Sequence, residues 1–145
     1  MSWRDGTPQP IQDDLDLVAH EALTAATHLL GRQRGELYPL AVRLPDDGAP
    51  EMVAADPGDG EFPASVAVLE LLYESVKAIR DGTRSVAFAA AVDTPDGDAL
   101  RVEVEHRDGG PALTLLLPYR VRKLGRGIET GELSAAPGER RVWPR

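Results

Sequence analysis

The sequence predicts an α+β domain of two layers, a five-stranded antiparallel sheet with two helices, in the order α-β-β-α-β-β-β. Three observations lead there. Apolar residues recur at helical spacing in two separate windows, and they alternate or run together in five short ones. The last three of these short windows are joined by T-P-D-G-D and R-D-G-G-P, each centred on Asp-Gly, the strongest short-range hairpin signal. Strands joined by hairpins are not βαβ units, so the expected sheet is antiparallel with its helices on one face.

Residues 1–12 carry Gly6, Pro8 and Pro10 and are expected to be a flexible lead-in. From Asp13 onward, Leu15, Val18, Ala22, Ala25 and Leu29 form one helical stripe, with Asp13 or Asp14 suited to cap its start and Gly31 its end. Glu36 to Leu44 and Glu51 to Ala55 are predicted strands around the turn-forming P-D-D-G-A-P, and Pro39 places the start of the first where no ladder donor is needed. After the loop D-P-G-D-G-E-F-P comes a second helix, opened by Pro63, with Val66, Leu69, Leu72 or Tyr73, Val76 and Ile79 as its stripe and Asp81-Gly82 as its stop. The hairpin strands are Arg84 to Val92, Ala99 to His106 and Ala112 to Leu117. The order of elements resembles the profilin-like and roadblock folds, in which the last strand is central. That likeness implies a fold and no function.

A single domain over 13–120 and a basic tail over 121–145 account for the whole chain after the lead-in. The formal charge of −8 is unevenly spread: residues 119–145 hold seven Arg/Lys against three Glu, and residues 1–118 hold nine basic against twenty-one acidic side chains. An acidic body repels phosphate backbones, which leaves a nucleic-acid function only to the tail and makes it an unfavoured class. The lack of cysteine removes thiolate metal sites, cysteine nucleophiles and disulfides, and fits a reducing, cytoplasmic setting. The first ten residues hold no signal-peptide core, and the longest apolar run, Val86 to Val92, is far short of the roughly 20 residues of a membrane span, so a soluble protein is expected.

Within L-R-V-E-V-E-H-R-D-G-G, alternation puts Leu100, Val102, Val104 and His106 on one face of a strand and Arg101, Glu103 and Glu105 on the other. His106 is therefore expected to be a half-exposed ring at a strand end, its polar edge on water or on the turn backbone. Chemistry at His106 would require an orienting acid on its own side, and within the segment only Asp108 is close. Thr114 and Leu116 are expected opposite the outward row, and Leu116 with Ala87, Ala89 and Ala91 could form an apolar patch for self-association. On the first helix, Asp16, His20, Thr24 and His28 make a polar ribbon in which Asp16 and His20 face each other; with no second ligand pair this is expected to be a solvated stripe and not a metal site. No G-x-S-x-G is present, and G-R-G-I-E-T-G lacks the lysine and the strand–helix setting of a phosphate loop. No cofactor is expected.

The tail combines Arg120, Arg122, Lys123 and Arg126 with glycine and proline breaks and ends in R-R-V-W-P-R. Such a stretch is expected to be irregular alone, but suited to lie across the acidic body or a second copy with Trp143 as anchor. The segments E-L-Y-P-L, V-E-H-R-D-G and L-P-Y resemble recurring pieces of small bacterial proteins with no assigned activity. The resemblance spans roughly residues 13–120 and implies one compact domain with a variable tail and no catalytic residue. The leading expectation is a non-enzymatic interaction domain, a homodimer or the binder of a protein partner, using Arg122, Lys123, Arg126 and Trp143. Two rivals are a small ligand-binding domain or enzyme with a pocket at His106, Tyr119 and Arg120, and an immunity-type inhibitor whose acidic body meets a basic toxin.

Overall fold

The computed structural model describes residues 2–32, 37–54, 65–125 and 127–144. The D-P-G-D-G-E-F-P loop, Pro63, the strand start at Glu36 and Arg126 lie outside them. The elements are α1 (Gln9–Arg32), β1 (Leu40–Pro45), β2 (Glu51–Val53), α2 (Ser65–Ala78), a short 3-10 turn (Arg80–Gly82), β3 (Thr83–Thr94), β4 (Gly97–His106), β5 (Leu113–Val121), β6 (Ile128–Thr130) and β7 (Ser134–Pro137). No helix among the described residues is long and apolar enough to cross a membrane.

The α+β class stands, with two helices and an antiparallel sheet of more than five strands. The order is β2-β1-β3-β4-β5-β6, with β7 also paired to β5. The outer edge of β5 thus carries two successive strands. Tyr119 pairs with Thr130, and Leu116 with Ser134, so three steps from Gly131 to Ser134 span two steps from Pro118 to Leu116. One extra residue is absorbed as a bulge between β6 and β7. The profilin-like order does not hold: β3, the first strand after α2, lies against β1, and β5 is not central.

The helices also lie on opposite faces of the sheet. Alternation along β3 sends Ala87 and Ala89 to a core shared with α1, and Val86 and Phe88 to a second core shared with α2. Strand β3 is apolar on both faces over much of its length, which a two-layer scheme cannot satisfy, and a third layer covers the excess. On the α1 side, Ala22, Ala26, Ala87 and Ala89 are all fully buried in one cluster, small residues that let helix and sheet approach closely. The expected Leu116 patch does not form, because Leu116 pairs with Arg101 on the other face from Ala87 and Ala89.

Helix α1 begins four residues before Asp13, with Pro10 in its first turn, where a missing N–H is harmless. Asp13 and Asp14 are consequently inside the helix. Its buried stripe is Ile11, Leu15, Val18, Ala22, Ala26 and Leu30, which drifts one position from the expected Ala25 and Leu29. In α2 the core residues are Val68, Leu69, Leu72, Tyr73 and Val76, while Val66 and Ile79 are exposed. The lead-in is also engaged: Trp3 packs on the α1 core, and the Thr7 hydroxyl donates to its carbonyl at 2.7 Å.

Candidate functional site

The strand pattern places Arg101, Glu103 and Glu105 on the α2 side of β4, as alternation requires, but that face is not wet. Glu103 is 6% and Glu105 2% exposed. Two carboxylates buried two residues apart on one strand face are costly unless each is matched by donors. The donors come from residues 139–143. Past β7 the chain crosses Ala112, where the Gly138 N–H donates at 2.8 Å, and then lies over the end of β4. Glu105 Oε1 accepts the backbone N–H groups of Arg141 at 2.8 Å and Val142 at 2.7 Å, and Oε2 that of Trp143 at 3.3 Å. Three successive backbone donors converging on one anion form a nest.

Glu103 is matched by side chains. Its Oε1 accepts the Tyr73 hydroxyl at 2.5 Å, and its Oε2 the Arg141 Nε at 3.0 Å. The Arg141 guanidinium also lies 5.0 Å from the centre of the Tyr73 ring, a cation–π arrangement. Tyr73 in turn meets Phe88 edge to face at 4.7 Å. Burial, and then the hydrogen bond to Glu103, push the Tyr73 phenol well above its ordinary value. Val142 is fully buried in the α2 core, with Trp143 packed beside it, and the Val142 carbonyl accepts from Arg80 at 3.1 Å. Arg140 donates to the carbonyls of His106 at 3.1 Å and Gly110 at 2.7 Å. The result is a groove between α2 and β4, floored by Glu103, Glu105 and Tyr73, with the chain's own arm in it.

His106 sits just beyond this groove on the opposite face. It is 2% exposed, not half-exposed, and its orienting acid comes from α1: Nε2 lies 2.8 Å from Asp14 Oδ2. Nδ1 accepts the Asp108 N–H at 3.0 Å, which places the ring proton at Nε2, donated to Asp14. Arg84 closes the cluster with a forked contact to Asp14 at 3.1 and 2.7 Å. Burial pushes the Asp14 carboxyl up, but the hydrogen bonds from Arg84 and His106 outweigh it, and its pKa lies below the ordinary aspartate value. Both imidazole nitrogens are engaged and the ring is enclosed, so no lone pair meets a substrate. The cluster ties α1 to the ends of β3 and β4.

Tyr119 and Arg120 are not brought to His106. Ala99, seven residues before His106 on β4, pairs with Pro118, which puts the two sites roughly 20 Å apart along the sheet. There, Tyr119 and Arg120 line a surface cleft of about 520 Å³ with Asp96, Asp98, Glu129 and Thr130. Arg120 pairs with Glu129 at 3.0 Å, and burial, followed by Asp98 and Asp93, raises the Tyr119 phenol. Of the tail residues named from sequence, Arg122 and Lys123 are exposed between β5 and β6, Trp143 is in the arm, and Arg126 lies outside the described residues. The arginines of the arm that contact the body are Arg140 and Arg141. On α1, Asp16 gives its carboxylate to Arg4 at 2.8 Å, and His20 and His28 are exposed. Among the described residues, no group of three or more His, Asp or Glu is placed to hold a metal ion, and no buried side-chain nitrogen or oxygen lacks a hydrogen-bond partner. No family model matches the chain, and neither a curated protein nor a solved structure matches it.

Proposed function

We propose that this chain is a non-enzymatic interaction domain whose α2–β4 groove holds an extended, arginine-bearing chain segment, with residues 139–143 as the segment in residence. The observation that carries this is the Glu105 carboxylate, buried and met by three successive backbone N–H groups of the arm. Main-chain donors give affinity for any extended segment. The Glu103–Tyr73 pair selects a planar cation at one position, and the Val142 site selects a β-branched or similar apolar residue at the next. The division of charge between an acidic body and a basic tail favours the same pairing.

The test is a labelled peptide with the sequence of residues 132–145, titrated into the full chain carrying Val142→Asp, which forces a charge into the apolar site and empties the groove of its own arm. Saturable binding is expected, and it is lost when Glu105→Ala is added. Absence of binding to a folded Val142→Asp chain, and to the milder Arg141→Ala chain, contradicts the proposal.

The cleft at Tyr119 and Arg120 favours a second function, binding of a small ligand. Asp96, Asp98 and Glu129 outnumber Arg120 there, and Arg120 is already paired, so the ligand would be a cation and not the anion that Arg120 alone suggests. A thermal-shift screen of small organic cations tests it, with Asp98→Asn removing any stabilisation found.

A further inference from the structure

We infer that the groove's partner in trans is a second copy of this chain, through reciprocal exchange of the arm from Ser134 to Trp143. This rests on the groove proposed above and names its occupant.

Nearly everything the arm touches belongs to the body. β7 pairs with β5 alone, Gly138 with Ala112, Arg140 with His106 and Gly110, and Arg141, Val142 and Trp143 with Glu103 and Glu105. Within the arm, the Arg141–Glu139 pair at 3.0 Å travels with it. Each body contact is therefore available unchanged from the body of another copy, and exchange alters only the linker and the association entropy. The arm lies at the sheet edge, so its departure breaks no pairing between other strands.

The link has the form of a hinge. Gly131, Glu132 and Leu133 are all exposed and join β6 to β7 at the bulge; Gly131 still donates its N–H to the Pro118 carbonyl at 2.8 Å, and Glu132 and Leu133 pair in neither strand's ladder. Leu133, a large apolar residue, is 47% exposed. β6 stays with its own β5 while the chain beyond Leu133 leaves. A tether this short holds the arm at an effective concentration on the order of millimolar, so exchange in the unaltered chain is a minor species that grows with protein concentration. Disabling each copy's own arm–groove pair removes that competition.

The experiment mixes two full-length variants. Glu105→Ala has an intact arm and a disabled groove, and Val142→Asp has an intact groove and a disabled arm. Light-scattering mass after size exclusion is measured for each alone and for the equimolar mixture, and the labelled 132–145 peptide is titrated into the Val142→Asp chain in parallel. The mixture is expected to contain a species of twice the chain mass that neither variant shows alone, and excess peptide is expected to remove it. Peptide binding with no doubled mass overturns exchange and leaves the groove standing. Absence of both, repeated with Arg141→Ala in place of Val142→Asp, overturns the groove and exchange with it.

Discussion

Glu105 and Val142 meet at 2.7 Å, carboxylate oxygen to backbone N–H, with 2% of the first residue and none of the second exposed. A buried anion and a buried chain segment each satisfy what the other needs. The first expected consequence is thermal. Glu105→Ala leaves three backbone donors without their acceptor, a loss of about 2–3 kcal/mol. For a chain of this length that lowers Tm by roughly 5–10 °C, measured by calorimetry. Trypsin cleavage after Arg140 and Arg141 should accelerate in the same variant, because the arm is no longer pinned.

Gly138 lets the arm approach the sheet. A Cβ there would stand 2.8 Å from the Leu113 carbonyl carbon and 2.9 Å from Thr114 Oγ1, too close without a backbone shift. Gly138→Ala is expected to lose about 1–3 kcal/mol by overpacking and to reproduce the trypsin pattern of Glu105→Ala. Gly131→Ala is the control, since its Cβ would make ordinary contact at 3.4 Å with Pro118. Equal proteolysis rates for the two glycine variants would remove the steric explanation.

The Asp14 carboxyl is held below its ordinary value of 3.8 by Arg84 and His106 against the opposing effect of burial. The unfolded chain therefore binds the proton more readily, and stability rises with pH across the window between the two values. Asp14's contribution is fully present above the unfolded value and is lost as pH falls from about 4 through the folded value. Urea unfolding of the unaltered chain and Asp14→Asn should differ by a constant amount above about pH 5 and converge below pH 4. A difference that persists into strong acid would mean the carboxylate charge is not what Asn lacks.

Tyr73 has its phenol raised by burial and by donation to Glu103, so its contribution to stability is complete below the ordinary value of 10.0 and declines above it. Tyr73→Phe keeps the ring against Phe88 and removes one donor from a buried carboxylate, which is expected to lose about 1–3 kcal/mol. In an alkaline absorbance titration it should also delete one late-ionising phenol and leave that of Tyr119. Loss of an early-ionising phenol instead would place Tyr73 in water.

The fold class was legible because its signals are local: the period of α1, the alternation of β4, and the Asp-Gly turns that set the β3–β4 and β4–β5 hairpins. Alternation alone separated His106 from Glu105 correctly, and Thr114 and Leu116, expected opposite the outward row, pair with Glu103 and Arg101. What it could not give was the destination of each face. Nothing near residue 106 in sequence points to Asp14, 92 positions away, and nothing near 105 to the backbone of 141–143. An outward Glu-x-Glu row is a solvated face by default, and only the apolar run of β3, with Val86 and Phe88 as well as Ala87 and Ala89, hinted that both faces are covered. In the tail, the motif R-R-V-W was visible, but nothing in it marks Val142, between Arg141 and Trp143, as the side chain that is fully buried.

The most direct measurement is native-state hydrogen exchange at the amides of Arg141, Val142 and Trp143, in the unaltered chain and in Glu105→Gln. If Glu105 holds the arm, the Val142 amide exchanges as slowly as the amides of β3 and β4, and the substitution speeds all three while leaving the central strands protected. Rapid exchange at Val142 in the unaltered chain, or protection unchanged by Glu105→Gln, would contradict the groove and everything proposed from it.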